Sequence, residues 1–142
     1  MSAVEHDQMA EDLLDATAAR QPIHTIMGTG LATVEQHDSV RDAARELTSN
    51  DIGAVLVSSP VGPVGILSER DIVAVVALGF DLEAEQVKTL MSVDLITAAA
   101  TDPIADVGKL MVQSGVRHVA VRDGSKVIGV VSMRDILDAL LA

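Results

Sequence analysis

The chain has 142 residues, enough for one domain or two very small ones. Its formal net charge is −11, cysteine is absent, and Phe80 is the single aromatic residue. This composition excludes disulfides and thiolate-held zinc. It also argues against nucleic acid, whose binding needs cationic neutralisation of phosphates or aromatic stacking platforms.

The opening "MSAVEHDQMAEDLL" is acidic and has no continuous apolar core, so no secretory signal is read there. Met9, Leu13 and Ala16 fall at i, i+4 and i+7, which predicts an amphipathic helix in an N-terminal extension over residues 1–22. The Gly-Thr-Gly at 28–30 lacks the further glycine and the strand–helix setting of a dinucleotide loop, and reads as a turn. "LATV" follows as a short strand, with Asp38 placed as a helix N-cap. Val40, Ala43, Ala44 and Leu47 then recur at helical spacing. "IGAVLV" and "VGIL" read as strands joined by a turn at "SSPVGP". "GILSERDIV", beginning at Gly65, leads into a closing helix. The longest apolar run, Ile72 to Phe80, falls well below the ~20 residues of a membrane helix, so a soluble cytoplasmic protein is expected.

After a polar linker at 81–87 the series starts again. "LITA" is a strand, and Asp102 is the expected N-cap with Pro103 at the first helical position. Ile104, Val107, Leu110 and Met111 form the helix face; "VRHVAV" and "VIGVV" are strands around "RDGSK". "GVVSMRDIL", beginning at Gly129, opens the last helix. A shift of 64 aligns residues 25–78 with 89–142 without a gap, and 13 of the 54 positions are identical. Among them are Met27/Met91, Gly65/Gly129 and the Ser, Arg, Asp and Ile of the nonapeptides. The chain is therefore two copies of one β-α-β-β-α unit. The expected fold is α/β (α+β), with the copies spanning 23–80 and 88–142 and packed about a pseudo-two-fold axis. Strands that are apolar throughout imply sheets covered on both faces.

The doubled Ser-x-Arg-Asp admits two readings. A Ser followed three residues later by an acid, just before an apolar helix, is a capping box. Ser68 and Ser132 would then be N-caps with Asp71 and Asp135 at N3. Against a purely structural role, a capping box prefers the longer Glu or Gln at N3. Arg70 and Arg134 also stand at N2, where a cation opposes the helix dipole. A nucleoside phosphate would use all of these groups. Helix N–H groups, the Ser hydroxyl and the guanidinium can donate to phosphate. The carboxylate can accept from a ribose 2′,3′-diol.

With the repeat, the nonapeptides "GILSERDIV" and "GVVSMRDIL", and "SGVRHVAVRDGSKVIGVVS", the chain resembles a tandem pair of CBS (cystathionine-β-synthase) domains over about residues 23–142. "GFDLEAEQVKTLMSVDLIT" is similar to the usual joint between such copies. The resemblance implies a disc-like pair whose cleft binds an adenosine ligand such as AMP, ADP, ATP or S-adenosylmethionine. It implies a regulatory, energy-sensing module that catalyses nothing, requires no cofactor and forms a homodimer, acting on an unidentified protein target. Carried over by position, Asp71 and Asp135 hold ribose hydroxyls, and Ser68, Arg70, Ser132 and Arg134 face phosphates. Thr33 and Thr97 supply ligand-contacting hydroxyls, and the backbone at Gly53–Ala54 and Arg117–His118 meets the base edge. The middle strands carry Leu56 and Ala120 where many members have Pro. The copies differ at Gly53, Ala54 and Glu69 against Arg117, His118 and Met133, so the site centred on Asp135 is expected to be the more cationic.

His6, His24, His37 and His118 show no metal-ligand spacing. Ser68 and Ser132 lack the neighbouring base that a nucleophile needs. The scattered methionines read as packing filler. The alternative to a ligand sensor is an interaction or scaffold protein whose Ser-x-Arg-Asp motifs serve only as helix caps.

Overall fold

The computed structural model describes residues 17–28 and 31–142. The helix predicted over Met9–Ala16 and most of the Gly-Thr-Gly turn lie outside the described residues. A short helix α1 (Thr17–Arg20) and a 3-10 turn (Ile23–Thr25) lead into β1 (Thr33–Glu35), α2 (Val40–Asn50), β2 (Ala54–Ser59), β3 (Gly62–Ser68) and α3 (Glu69–Ala77). A second 3-10 turn (Val87–Thr89) opens the same order again: β4 (Thr97–Ala99), α4 (Ile104–Ser114), β5 (His118–Asp123), β6 (Lys126–Ser132) and α5 (Met133–Leu141). Both copies are β-α-β-β-α, as the repeat predicts.

Each copy builds one three-stranded sheet, in the orders β1-β2-β3 and β4-β5-β6. The first pair is parallel, with Thr33 opposite Leu56 and Thr97 opposite Ala120, because the intervening helix carries the chain back before the next strand. The second pair is antiparallel across a tight turn, with Val55 opposite Leu67 and Val119 opposite Val131. Both hairpins shift register at matching places, Val57/Ser58 and Val121/Arg122. The duplication thus extends to a local irregularity of the backbone.

Side chains alternate across a strand, and the middle strands have two different burials to satisfy. Val55 and Val57 join Ala43, Leu47 and Leu67 in the first core, and Val119 and Val121 join Ile104, Val107 and Met111 in the second. Ala54, Leu56 and Ala120 are equally buried yet belong to neither core. They cover the opposite face, where β2 runs against β6 of the other copy. The sheets are covered on both faces as expected, but one cover is the partner sheet.

The copies also exchange their opening turns. Ile23, at the start of the first copy, is buried in the core of the second, and Val87 is buried in the core of the first. The backbone confirms the crossing. The Ile23 N–H donates to Asp102 O at 2.8 Å and the His24 N–H to Ala100 O at 3.1 Å. The Val87 N–H donates to Asp38 O and the Lys88 N–H to Gln36 O, both at 2.9 Å. Following each turn, a methionine passes over the other copy's hairpin. A Cβ on Gly129 would lie 2.9 Å from the Met27 sulfur, and one on Gly65 would lie 2.9 Å from the Met91 sulfur. Met27 and Met91 are therefore not filler. They and the nonapeptide glycines are the two sides of one contact, made twice.

Both α2 and α4 begin one residue later than expected. Ser39 is the N-cap of α2, its hydroxyl accepting from the Asp42 N–H, and Pro103 precedes α4. Asp38 and Asp102 reach back instead, accepting from the Glu35 N–H at 3.0 Å and the Ala99 N–H at 2.9 Å. Each closes the turn that ends a strand, a local bond that Asp makes readily.

Candidate functional site

The Ser-x-Arg-Asp segments fold as two complete capping boxes. The Ser68 N–H donates to Asp71 Oδ2 at 2.8 Å, and the Asp71 N–H to Ser68 Oγ at 3.3 Å. In the second copy the corresponding distances are 2.9 and 3.0 Å. Asp is long enough after all, because the extended backbone at Ser68 and Ser132 (ψ 162° and 160°) brings its N–H toward the first turn. The expectation that Asp would fall short at N3 is corrected.

The cap does not exhaust the carboxylate. In both aspartates every hydrogen bond among the described residues falls on Oδ2, and Oδ1 accepts none. The Ser68 hydroxyl also donates to Asp71 Oδ2, at 3.0 Å. Asp135 has no such additional bond, and it lines a cleft of about 600 Å³ between the two copies. The volume lies within the range of small-molecule pockets. The first copy contributes Gly53 and Ala54, the apolar Ala32 and Ile52, and Glu46 and Asn50 from the end of α2. The second contributes His118, Val130, Ser132 and Asp135.

Five of the twelve residues singled out in the sequence thus meet in one cleft: Gly53, Ala54, His118, Ser132 and Asp135. Ser68 and Asp71 form the repeat-related cap outside it. Thr33 and Thr97 open β1 and β4 and do not line it. Arg70, Arg117 and Arg134 are exposed and do not line it either. None of the three arginines forms an ion pair among the described residues.

Glu46 and Asn50 were missed. They stand at i and i+4 of a helix that reads as ordinary core and surface, and the Asn50 amide donates to Glu46 Oε1 at 3.0 Å. Their spacing carries the only sequence signal, a shared helix face. Among the described residues its wall holds the carboxylates Glu46 and Asp135 and neither Lys nor Arg, so Arg117, on which the expected cationic character rested, does not contribute to it.

His118 sits where the copies meet. A Cβ on Gly53 would lie 3.1 Å from its Nε2 and 3.7 Å from Glu69 Oε1, so the ring packs against bare backbone beside a carboxylate. Burial holds the imidazole below its ordinary pKa, with Arg117 acting in the same direction. The carboxylates of Glu69, Asp135 and Asp71 oppose that shift. Among the described residues, no cluster of His, Asp and Glu is arranged to hold a metal ion. No helix there is long and apolar enough to cross a membrane.

The CBS domain model matches residues 23–78 and 87–142. A 17.7 kDa uncharacterized protein of Acidianus ambivalens is 30% identical over 121 residues, covering 84% of this chain and 73% of the relative. Several other curated relatives are longer, and the chain spans half of their length or less. The CBS-domain containing protein ATU1752 from Agrobacterium tumefaciens superposes with a TM-score of 0.77 at 26% identity, covering 87% of this chain and 96% of that one. The CBS domain protein PAE2072 from Pyrobaculum aerophilum, solved in complex with AMP, gives 0.74 at 26% identity, with 85% and 99% covered. Two matched units and a shared fold lead to one conclusion: the chain belongs to the CBS domain family, as a tandem pair of the kind that generally serves regulation.

Proposed function

We propose that the Asp135 cleft binds the adenosine portion of a small ligand and that the pair is a regulatory sensor without catalytic activity. The observation that carries this reading is Asp135 itself. Its Oδ2 serves the cap, while Oδ1 accepts no hydrogen bond among the described residues, and the residue lines a cleft that it shares with Gly53 and Ala54. A carboxylate in that position accepts from the two hydroxyls of a ribose diol, and aliphatic Ile52, Ala32 and Val130 form apolar walls for a base. The AMP complex of PAE2072 supports the ligand class. AMP, ADP, ATP and S-adenosylmethionine are the candidates.

The test is calorimetry with those four ligands on the wild-type chain and on Asp135→Asn. The amide keeps a carbonyl acceptor for the Ser132 N–H, so the helix cap survives while the charged acceptor is lost. Affinity is expected to fall about 10- to 150-fold, the worth of one charge-assisted bond. No heat from any of the four would end the sensor reading. A second reading has its own support, since both capping boxes are complete without a ligand. In that case the chain is an interaction scaffold, and Asp135→Asn changes only its stability.

Self-association belongs to the same proposal. The closing helices leave Val73, Val76 and Leu78, and Leu137 and Leu141, exposed. Two such faces buried in a homodimer would be removed from water, with signals passed to a target protein through the paired helices.

A further inference from the structure

We infer that His118 is the proton-accepting partner of an anionic ligand group in this cleft, so that a phosphate-bearing ligand is taken up together with a proton. The inference rests on the adenosine reading above and goes beyond it by assigning how phosphate is tolerated. Among the described residues the cleft wall contains two carboxylates, Glu46 and Asp135, and neither Lys nor Arg. An added phosphate therefore enters against like charge, in a chain whose formal net charge is −11. Among the described residues, His118 is the one side chain of the wall that can become cationic.

Opposing influences surround the ring. Glu69 and Asp71 from α3 and Asp135 from α5 favour the imidazolium, while Arg117 on the same strand and partial burial disfavour it. In the free protein burial prevails and the imidazole pKa lies below its ordinary value. A phosphate dianion in the cleft adds one more negative neighbour and tips the balance toward the charged form. The sign follows from linkage. A ligand that raises the imidazole pKa binds more tightly as pH falls, and that advantage is lost as pH rises through the value in the complex. Adenosine, which has no phosphate, gains nothing from acidification. The first copy has Ala54 at the matching position, so the repeat-related cap has no equivalent proton acceptor.

Calorimetry of AMP and adenosine in two buffers of different ionisation enthalpy, between about pH 6 and about pH 8, reads the proton directly. AMP is expected to bind with net proton uptake and to gain up to about tenfold in affinity per pH unit of acidification. Adenosine is expected to bind with neither. The phosphate of AMP itself titrates near about pH 6, so the same series on His118→Gln separates the ligand's titration from the protein's. Equal pH dependence of AMP binding in the wild type and His118→Gln overturns the inference and leaves the adenosine reading standing. Failure of both ligands to bind overturns both. Proton NMR of the wild-type chain supplies a check that needs no variant to fold. AMP must move the titration of the His118 ring upward, and an unmoved ring is a refutation.

Discussion

A carboxylate in a capping box is normally counted as satisfied, yet Asp71 and Asp135 each engage the cap through one oxygen only. The cap fixes the side chain's rotamer, and a fixed rotamer costs little further entropy when a ligand arrives. Structural and binding uses of the same residue therefore reinforce each other. Asp135→Ala, which removes both, should cost about 0.5–2 kcal/mol in thermal denaturation followed by circular dichroism, in addition to its effect on binding. At another residue, Asp51 ends α2 in the left-handed conformation (φ 51°), where the second copy has Gly115 (φ 68°). Asp51→Gly should stabilise the chain by about 0.5 kcal/mol, because the strain of a side chain there outweighs the added freedom of the unfolded state. A melting temperature below that of the wild type would contradict this. The Asp motif was legible in the sequence because it is a local pattern repeated twice. The reach of Asp at N3 was not, since it depends on the backbone angle of the preceding serine.

Among the elements, the hairpin β2–β3 and its counterpart β5–β6 are where the duplication is most exacting. Each must let a methionine-bearing segment from the other copy pass at van der Waals distance, and a glycine provides the space. The two crossings differ in one respect. A Cβ on Gly65 would also lie 2.6 Å from the Ser92 carbonyl, whereas the three nearest atoms to one on Gly129 all belong to the Met27 side chain. The Ile66 and Ser92 backbones are hydrogen-bonded to each other at 2.9 and 3.0 Å, so that carbonyl is held in place. Gly65→Ala is thus expected to cost about 1–3 kcal/mol, as overpacking does. Gly129→Ala should cost clearly less, because a thioether can rotate away. Urea denaturation of the two variants compares them directly, and equal losses would show that the carbonyl contact is not what the glycine serves. The strands and helices themselves were readable from apolar periodicity. The helix starts were displaced by one residue because Asp38 and Asp102 bond backward to the strands they follow.

For the whole molecule, exchange of the opening turns makes the pair the folding unit. Neither copy holds a complete core alone: the second needs Ile23 and the first needs Val87. Cutting the chain within the linker at 81–84 should leave the second half without Ile23 and the first without Val87. Each half alone is expected to show no cooperative thermal transition, while mixing the halves restores one. A cooperative transition in either half by itself would show that the exchanged turn is dispensable. The exposed apolar side chains of α3 and α5 bear on assembly. Sedimentation at micromolar concentration should show a dimer, and Val76→Glu combined with Leu137→Glu should shift it to monomer. A wild-type chain that sediments as monomer would remove self-association from the proposal.

By itself the sequence determined that two β-α-β-β-α units exist, which residues face their cores and where the recurring cap lies. All of these rest on contacts within a few turns or strands and so leave periodic or repeated traces. It could not determine which copy each opening turn packs on, because a gapless repeat satisfies hydrophobic pattern equally well with either pairing. Nor could it place Glu46 in a wall opposite Asp135, since those residues are brought together only when the sheets stack. The tertiary structure decided both, and with them the charge of the cleft. Its described wall holds two carboxylates and one histidine, because Arg117, which with His118 had suggested the more cationic of the two sites, does not reach it.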